Sequence, residues 1–227
     1  CSVAASCGAR ASIWDLACSI RCSVKSSGVA APVTDLRFSF EGYARGIRVM
    51  RALLAKYGIQ ESDVNLFSVR YDYTPFYQGK VDLWPLYRNA QAPIIGDKLR
   101  KAGESFDLMD PSKMGIRFVA NSVVTTRKMF EERPETVKNF IRALLQGWRE
   151  ILKPANAENA IDIVLKYNKE TPEEIVRLQL PATRILMMPT PDFEFGKIDV
   201  AAWKQTEEIM LAQKLIADPV NIENRLK

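Results

Sequence analysis

Apolar and polar residues first alternate and then change to helical spacing, which is the pattern of an α/β fold. Leu36, Phe38 and Phe40 alternate as the residues of a strand do. Residues 43–57 then carry apolar positions at helical spacing and end at Gly58, a common C-terminal stop for helices. The order of a strand followed by a helix predicts the start of a sheet flanked by helices.

The following segments continue this exchange of strands and helices. Two short apolar runs predict strands over 64–69 and 81–86, and one helical turn is predicted between them, over 74–79. Further strand candidates lie at 106–109 and 115–125. Helices are predicted over residues 89–102, 134–153, about 157–167, from 172 to a kink or end at Pro181, and 199–214.

The first 34 residues depart from this pattern: Cys, Ser and Ala fill 18 of the 34 positions, and Glu, Phe and Tyr do not occur. Three explanations are open: a flexible export or tether segment, an irregular subdomain, or translation of the wrong reading frame upstream of a genuine gene segment. We favour the wrong reading frame as a hypothesis, because the composition becomes ordinary abruptly near Thr34. A lipidated mature N-terminus at Cys1 is the alternative.

Composition limits the classes of function that are expected. With 227 residues, of which 47% are hydrophobic, the chain can form one large domain or two lobes with a sizeable core. The net charge of +5 is spread along the chain without clustered Lys and Arg, so we expect no nucleic-acid partner. No apolar run reaches the roughly 20 residues that span a bilayer.

Histidine is absent from the chain, which removes the commonest general base and the commonest transition-metal ligand. The four cysteines, Cys1, Cys7, Cys18 and Cys22, match no spacing of paired zinc knuckles. We therefore expect neither a metal site nor a cofactor.

The segment from Tyr71 to Pro93 gathers six aromatic residues with two aspartates, an arginine and an asparagine. Aromatic faces supply rigid apolar contact, while a few fixed donors and acceptors orient a bound molecule. This combination is typical of a pocket for a small ligand. The alternative is a strand and a helix packed against a core, since aromatic residues are common in buried strands.

Four segments, taken in order, carry a resemblance to a known family. They read FEGYARGIRVMRALLAKYGI, then DVNLFSVRYDYTPFYQGKVDLWPLYRN, then MGIRFVANSVVTT, then RPETVKNFIRALLQGWREIL. This order, over about residues 34–217, resembles the substrate-binding proteins of ABC importers. Among these proteins, the sequence is most similar to the nitrate, sulfonate and taurine type, which includes binders of thiamine pyrimidine precursors. The G-K-V-D sequence and the helix P-E-T-V-x-x-F-x-x-A-L-x-x-G-W are the most specific parts.

The resemblance implies an α/β, periplasmic-binding-protein-like fold of type II, with two lobes and a ligand held in the cleft between them. Residues 35–111 would form the second lobe, and residues 112–227 would return to the first lobe as its mainly helical part. The opening strands of the first lobe are not recognisable in residues 1–34, so we expect this lobe to be incomplete. Its absence would leave the apolar face of the 134–153 helix partly exposed.

The expected ligand-binding residues lie where strands give way to helices. Glu41, Gly42 and Tyr43 occupy such a turn, where free amides and the positive helix end favour an anionic or carbonyl group. The later residues follow strands whose carboxyl ends meet at one sheet edge. There Trp84 or Tyr87 would be a stacking platform. The full set comprises Glu41, Gly42, Tyr43, Arg70, Tyr71, Asp72, Trp84, Tyr87, Arg88, Asn89 and Asn121.

Several of these residues also have a structural alternative, since Glu41, Gly42 and Tyr43 could form an ordinary turn. Arg70 could bind an anion or simply pair with Asp72. Arg88 and Asn89 are expected to be polar clamps for the ligand. Asn121, in the returning strand, could equally bond to the backbone as a buried amide.

The resemblance implies a receptor without catalytic residues, which binds a small-molecule nutrient and presents it to an ABC permease in the membrane. Such a protein would be periplasmic or tethered to the cell surface, and we expect a monomer. One alternative is a thiamine pyrimidine synthase-like enzyme, which the absence of histidine disfavours because the similar synthase supplies a histidine of its own. A second alternative is a non-functional fragment.

Overall fold

The structure is a computed structural model that describes residues 37–40, 45–68, 72–119, 122–188 and 192–226. The atypical segment of residues 1–34 lies outside the described residues, so the three explanations for its composition stay open.

A strand, a helix and a second strand form the centre of the first half of the chain. Strands β1 (Arg37–Phe40) and β2 (Asn65–Ser68) are parallel and paired over all four residues. Helix α1 (Arg45–Lys56) connects them, because parallel neighbours need a crossover. It is followed by Gly58, whose φ of 67° is open to glycine without a Cβ penalty. These three elements confirm the order predicted from the periodicity.

The segment after β2 returns to β1. Helix α2 (Thr74–Tyr77) is one turn long, as predicted. The backbone N–H groups of Asp82 and Leu83 then donate to the carbonyl of Arg37 over 2.9 and 3.2 Å. The strand predicted over 81–86 is therefore wrong in extent, since only Leu83 forms a bridge. Pro85 has no N–H with which to extend the pairing.

The rest of the described chain is mainly helical, and the predicted helices agree with the observed ones within two residues at most ends, whereas the helix at Arg127–Glu132 was not predicted. The helix that starts at residue 173 continues through Pro181, so of the two predicted effects of this proline the end of the helix is wrong and the kink stays a prediction. The helices are α3 (Gln91–Lys101), α4 (Arg127–Glu132), α5 (Pro134–Leu152), α6 (Ala157–Tyr167), α7 (Glu173–Met187) and α8 (Val200–Ala212).

The strands predicted over 106–109 and 115–125 do not occur in the described parts of those segments. Their backbone donors bond elsewhere. The N–H of Ile116 donates to the carbonyl of Pro111 over 2.9 Å, and the N–H of Arg117 donates to the side chain of Gln205 over 2.7 Å. An apolar run therefore becomes a strand only where a neighbouring strand is available to pair with it.

The chain divides into two compact units, neither of which is continuous in sequence. The first unit contains the described residues of Cys1–Leu86, Gly96–Phe118 and Val200–Lys227. The second contains those of Tyr87–Ile95 and Val119–Asp199. The lobe boundaries implied by the resemblance, 35–111 and 112–227, stay a prediction.

Two small clusters form the core of the first unit. Leu54 on α1 packs with Ile59 and Val64, which follow the same helix. Leu53 packs with Ile116 and Ile209, so this second cluster joins three separate parts of the sequence. Leu53 and Leu54 are only 1% and 2% exposed.

The second unit has no strand among its described residues. Ala160 and Ile161 on α6 and Ile175 and Val176 on α7 are its buried apolar residues on these two helices. Helix α5 contains no buried residue, and its Phe140 is 59% exposed. The apolar face of this helix is therefore partly exposed, as the sequence predicts.

Candidate functional site

The carboxyl ends of β1 and β2 form the kind of edge at which open α/β sheets bind ligands. The segment 82–85 starts beside Arg37, to whose carbonyl Asp82 and Leu83 donate. It reaches this edge at Pro85, which lies against Gly46 in the first turn of α1. The chain that leaves β2 arrives there through Asp72 and α2. We call the residues Asp72, Tyr73, Phe76, Trp84 and Pro85 the carboxyl-edge cluster.

Three aromatic rings pack together in the carboxyl-edge cluster. The ring centroid of Trp84 lies 5.1 Å from that of Tyr73 and 6.2 Å from that of Phe76. The ring planes are tilted by 54° and 58°, an arrangement that aromatic pairs prefer to flat face-to-face stacking. Trp84 is 9% exposed, so it presents little free ring surface for a ligand to stack on.

The indole nitrogen of Trp84 is buried and has no hydrogen-bond partner within the described part of the chain. An unpaired buried donor costs roughly 1–3 kcal/mol, since it has given up water without gaining an acceptor. The carboxyl-edge cluster therefore contains an unsatisfied N–H group.

Tyr77 extends the aromatic group toward α3. Its ring centroid lies 6.4 Å from that of Phe76, and the ammonium nitrogen of Lys98 lies 3.9 Å from the Tyr77 centroid. Burial raises the pKa of the Tyr77 phenol, and the nearby Tyr73 raises it further. Tyr77 is thus a neutral hydrogen-bonding group near neutral pH, and a cation covers its ring.

Asp72 has a local structural role in the carboxyl-edge cluster. Its Oδ1 accepts a hydrogen bond from the backbone N–H of Thr74 over 3.0 Å, at the start of α2. Hydrogen bonds from the hydroxyl and then the N–H of Thr74 lower the pKa of the Asp72 carboxyl. The exposed carboxylate therefore stays charged and orders the turn. Its role toward a ligand stays a prediction.

Tyr87, Arg88 and Asn89 belong to the second unit. The backbone N–H of Tyr87 donates to Oε1 of Gln91 over 2.9 Å at the start of α3, and its side chain is 45% exposed. The side-chain amide of Asn89 donates to the hydroxyl of Thr183 over 3.2 Å. Asn89 thus anchors its segment to α7, while Arg88 is exposed and has a polar interaction of its own. Their predicted contact with a ligand stays a prediction.

The remaining expected residues lie outside the described part of the chain, so their predicted roles stay predictions. They are Glu41, Gly42, Tyr43, Arg70, Tyr71 and Asn121.

Sequence reasoning did not single out Tyr73 and Phe76, which pack against Trp84. A signal was present, because Tyr73, Phe76 and Tyr77 are spaced by three and four positions across a predicted helical turn. Residues at that spacing share one face of the turn.

Two open cavities lie away from the carboxyl-edge cluster. One of about 350 Å³ is lined by Arg117, Lys204 and Gln205 with their neighbours. The other, of about 170 Å³, lies between α8 and residues 219–223. Within the described ranges no group of three potential metal ligands of the types His, Cys, Asp and Glu comes together. None of the described helices is both long enough and apolar enough to cross a membrane.

The sequence of residues 21–157 matches the model of the family described as NMT1/THI5 like. This match covers more than half of the chain. The chain belongs to this family. The resemblance found in the ordered sequence segments is therefore confirmed.

One curated relative of this NMT1/THI5-like chain is the riboflavin-binding protein RibY of Chloroflexus aurantiacus. The two sequences are 25% identical over 211 residues, which make up 88% of this chain and 58% of the relative.

Two solved structures establish the fold. The match to the periplasmic aliphatic sulphonate binding protein SsuA of Escherichia coli covers 90% of this chain and 63% of the SsuA chain, with a TM-score of 0.62 and 14% sequence identity. The match to the alkanesulfonate-binding protein SsuA of Xanthomonas axonopodis pv. citri, bound to MOPS, covers 87% of this chain and 65% of that SsuA chain, with a TM-score of 0.55 and 16% sequence identity. The NMT1/THI5-like chain therefore has the periplasmic-binding-protein fold, and it spans less than two thirds of the length of all three relatives.

Proposed function

We propose that this protein is the solute-binding component of an ABC importer and binds a small nutrient without transforming it. Its family membership and the three relatives, all named as binding proteins, support a binding role. The partner would be a membrane permease, and the place of action would be the periplasm or the cell surface.

The observation that carries this proposal is the carboxyl-edge cluster of the first unit. Parallel strands β1 and β2 end there, and the rings of Tyr73, Phe76 and Trp84 pack together beside the first turn of α1. Aromatic surface combined with a few hydrogen-bonding groups suits a small organic ligand. The cluster favours a ligand with a ring over nitrate.

The candidate nutrients are a thiamine pyrimidine precursor, a sulfonate, taurine and nitrate. The relative that binds riboflavin adds a second ring-bearing candidate, and the two SsuA structures support the sulfonate class. We favour the pyrimidine precursor and riboflavin among these, because the half-buried rings of Tyr73 and Phe76 offer apolar contact to a ligand with a ring.

The enzymatic alternative receives no support from the described residues. A synthase that supplies its own histidine needs such a residue, and this sequence of 227 residues contains none. An absorbance band of bound pyridoxal phosphate on the purified protein would instead support the enzymatic alternative.

Thermal denaturation in the presence of each candidate nutrient tests the proposal. A ligand at 100 times its dissociation constant stabilises the native state by about 2.7 kcal/mol, which is a measurable rise in melting temperature. We expect such a rise with at least one of riboflavin, the pyrimidine precursor, an alkanesulfonate, taurine and nitrate, and none with glucose. A cooperative transition that none of these compounds shifts would reject the proposal. The absence of any cooperative transition would instead support the alternative of a non-functional fragment.

A further inference from the structure

The indole nitrogen of Trp84 differs from most buried polar atoms because no acceptor among the described residues reaches it. Trp84 as a whole is more than nine-tenths buried. Buried donors in native proteins nearly always have a partner in the protein or in ordered water. An unsatisfied N–H at the carboxyl edge of two parallel strands therefore indicates an acceptor supplied from outside the chain.

A comparison with Gln213 shows why Trp84 is the better candidate. Oε1 of Gln213 is also buried, and none of the described residues bonds to it. However, the amide nitrogen of the same side chain donates to the carbonyl of Arg48 over 2.8 Å, so Gln213 already joins α1 to the segment after α8. Trp84 has one polar side-chain atom only, and that atom is the unsatisfied one.

The packing around Trp84 argues against ring stacking as its main role. Tyr73 and Phe76 lie against the indole, and only 9% of the residue is exposed. Ligand stacking would require these rings to give up contacts that stabilise the unit. A hydrogen bond to Nε1 would instead satisfy a donor that has no other partner.

We propose that Trp84 recognises the nutrient through its indole N–H, and that the nutrient therefore presents a hydrogen-bond acceptor to it. Suitable acceptors are a carbonyl oxygen, an aromatic ring nitrogen or a sulfonate oxygen. This inference rests on the proposed binding function. It assigns Trp84 a donor role in place of the stacking role expected from the sequence.

The variant Trp84→Phe tests the donor directly, because it keeps an aromatic ring and removes the N–H. With riboflavin and an alkanesulfonate as probes, we expect affinity for the bound probe to fall about tenfold, equivalent to roughly 1.4 kcal/mol. Trp203→Phe is the matched control, since Trp203 is half-buried on α8 and its nitrogen is not among the unsatisfied buried atoms. Its affinity should stay within about twofold of the wild type.

The indole resonances of ¹⁵N-labelled protein give a second readout that a loss of packing would not mimic. The sequence contains four tryptophans, Trp14, Trp84, Trp148 and Trp203, so the Trp84 signal is assigned by its disappearance in Trp84→Phe. We expect the proton of this signal to move downfield when the probe saturates the protein, because a hydrogen bond forms. Its exchange with solvent should also slow.

The outcomes distinguish the donor role of Trp84 from the proposed binding function. Probe binding with unchanged affinity in Trp84→Phe, or a Trp84 resonance that saturating probe does not move, overturns the inference and leaves the binding function intact. An unmoved resonance that is already downfield in the free protein identifies an ordered water as the acceptor and likewise overturns it. Failure of the folded wild type to bind any candidate nutrient overturns the binding function and this inference with it.

Discussion

The side chains of Arg37 and Asp82 form a bidentate salt bridge that holds the segment after α2 beside β1. Nε of Arg37 donates to Oδ2 of Asp82 over 2.9 Å, and Nη2 donates to Oδ1 over 2.7 Å. The backbone N–H of Arg37 donates to the same carboxylate over 3.0 Å. Since Asp82 is 16% exposed, this planar pairing is partly shielded from water and lies on the path that leads to Trp84.

Replacing Asp82 with Ala should lower the free energy of unfolding by about 1–3 kcal/mol, because three hydrogen bonds are lost and the guanidinium is left without its partner. Urea denaturation measures this change. Glu194→Ala is the control: Glu194 pairs with Lys197 at the surface, with both side chains at least 70% exposed, and should cost less than about 1 kcal/mol. Equal losses in the two variants would show that the Arg37–Asp82 pair has no special structural role.

Two helical glycines should respond in opposite directions to replacement by alanine. A Cβ on Gly46 would lie 2.4 Å from Cβ of Pro85, so Gly46→Ala should destabilise the protein by about 1–3 kcal/mol through overpacking. A Cβ on Gly147 in α5 meets nothing within 4 Å, so Gly147→Ala should stabilise by about 0.5–1 kcal/mol through helix propensity. Thermal denaturation compares them. Stabilisation by both would mean that Pro85 moves freely away from α1.

Glu207 should make the attachment of the C-terminal segment sensitive to acid. Its carboxylate accepts backbone hydrogen bonds from Val220, Asn221 and Ile222 over 2.5, 2.9 and 3.0 Å. These bonds, that of Ile222 foremost, lower the pKa of Glu207 from its ordinary value of 4.5. The folded state therefore prefers the ionised form. The resulting stabilisation is complete above that ordinary value and disappears as the pH falls through the lowered pKa.

The variant Glu207→Gln should accordingly melt at a lower temperature than the wild type at pH 7, and the difference should shrink as the pH falls below about 4.5. Glu208→Gln is the neighbouring control on α8 and should have a smaller effect at pH 7. A melting difference for Glu207→Gln that is independent of pH would show that ionisation of this carboxyl does not matter. Proteolysis near residue 220 should also accelerate in the variant at neutral pH.

Local periodicity was enough to predict β1, α1 and β2, because each of these elements follows a pattern within its own residues. The segments 81–86 and 115–125 are also apolar, yet their described residues do not form the predicted strands. Strand formation depends on a neighbour across the sheet. Pro85 limits one pairing, and the contact of Gln205 with Arg117 occupies a donor of the other.

The candidate site was predicted less completely, since its geometry depends on pairs of distant residues. Trp84 was predicted as a ligand-binding residue, but the neighbouring sequence does not indicate that its indole nitrogen has no partner among the described residues. Asn89 illustrates the opposite case. Its ligand contact stays a prediction, but its amide donates to Thr183, 94 positions later in the chain. A pattern along the sequence carries no information about such a pair.

The cluster of Leu53, Ile116 and Ile209 has a consequence for biosynthesis. Ribosomes add roughly 5–20 residues per second, so Ile209 follows Leu53 by about 10–30 seconds. Leu53 and later Ile116 therefore lack their third partner until Ile209 has been made. The nascent chain therefore has a long period in which chaperones can bind it, and this cluster of the first unit closes only after Ile209 has been translated.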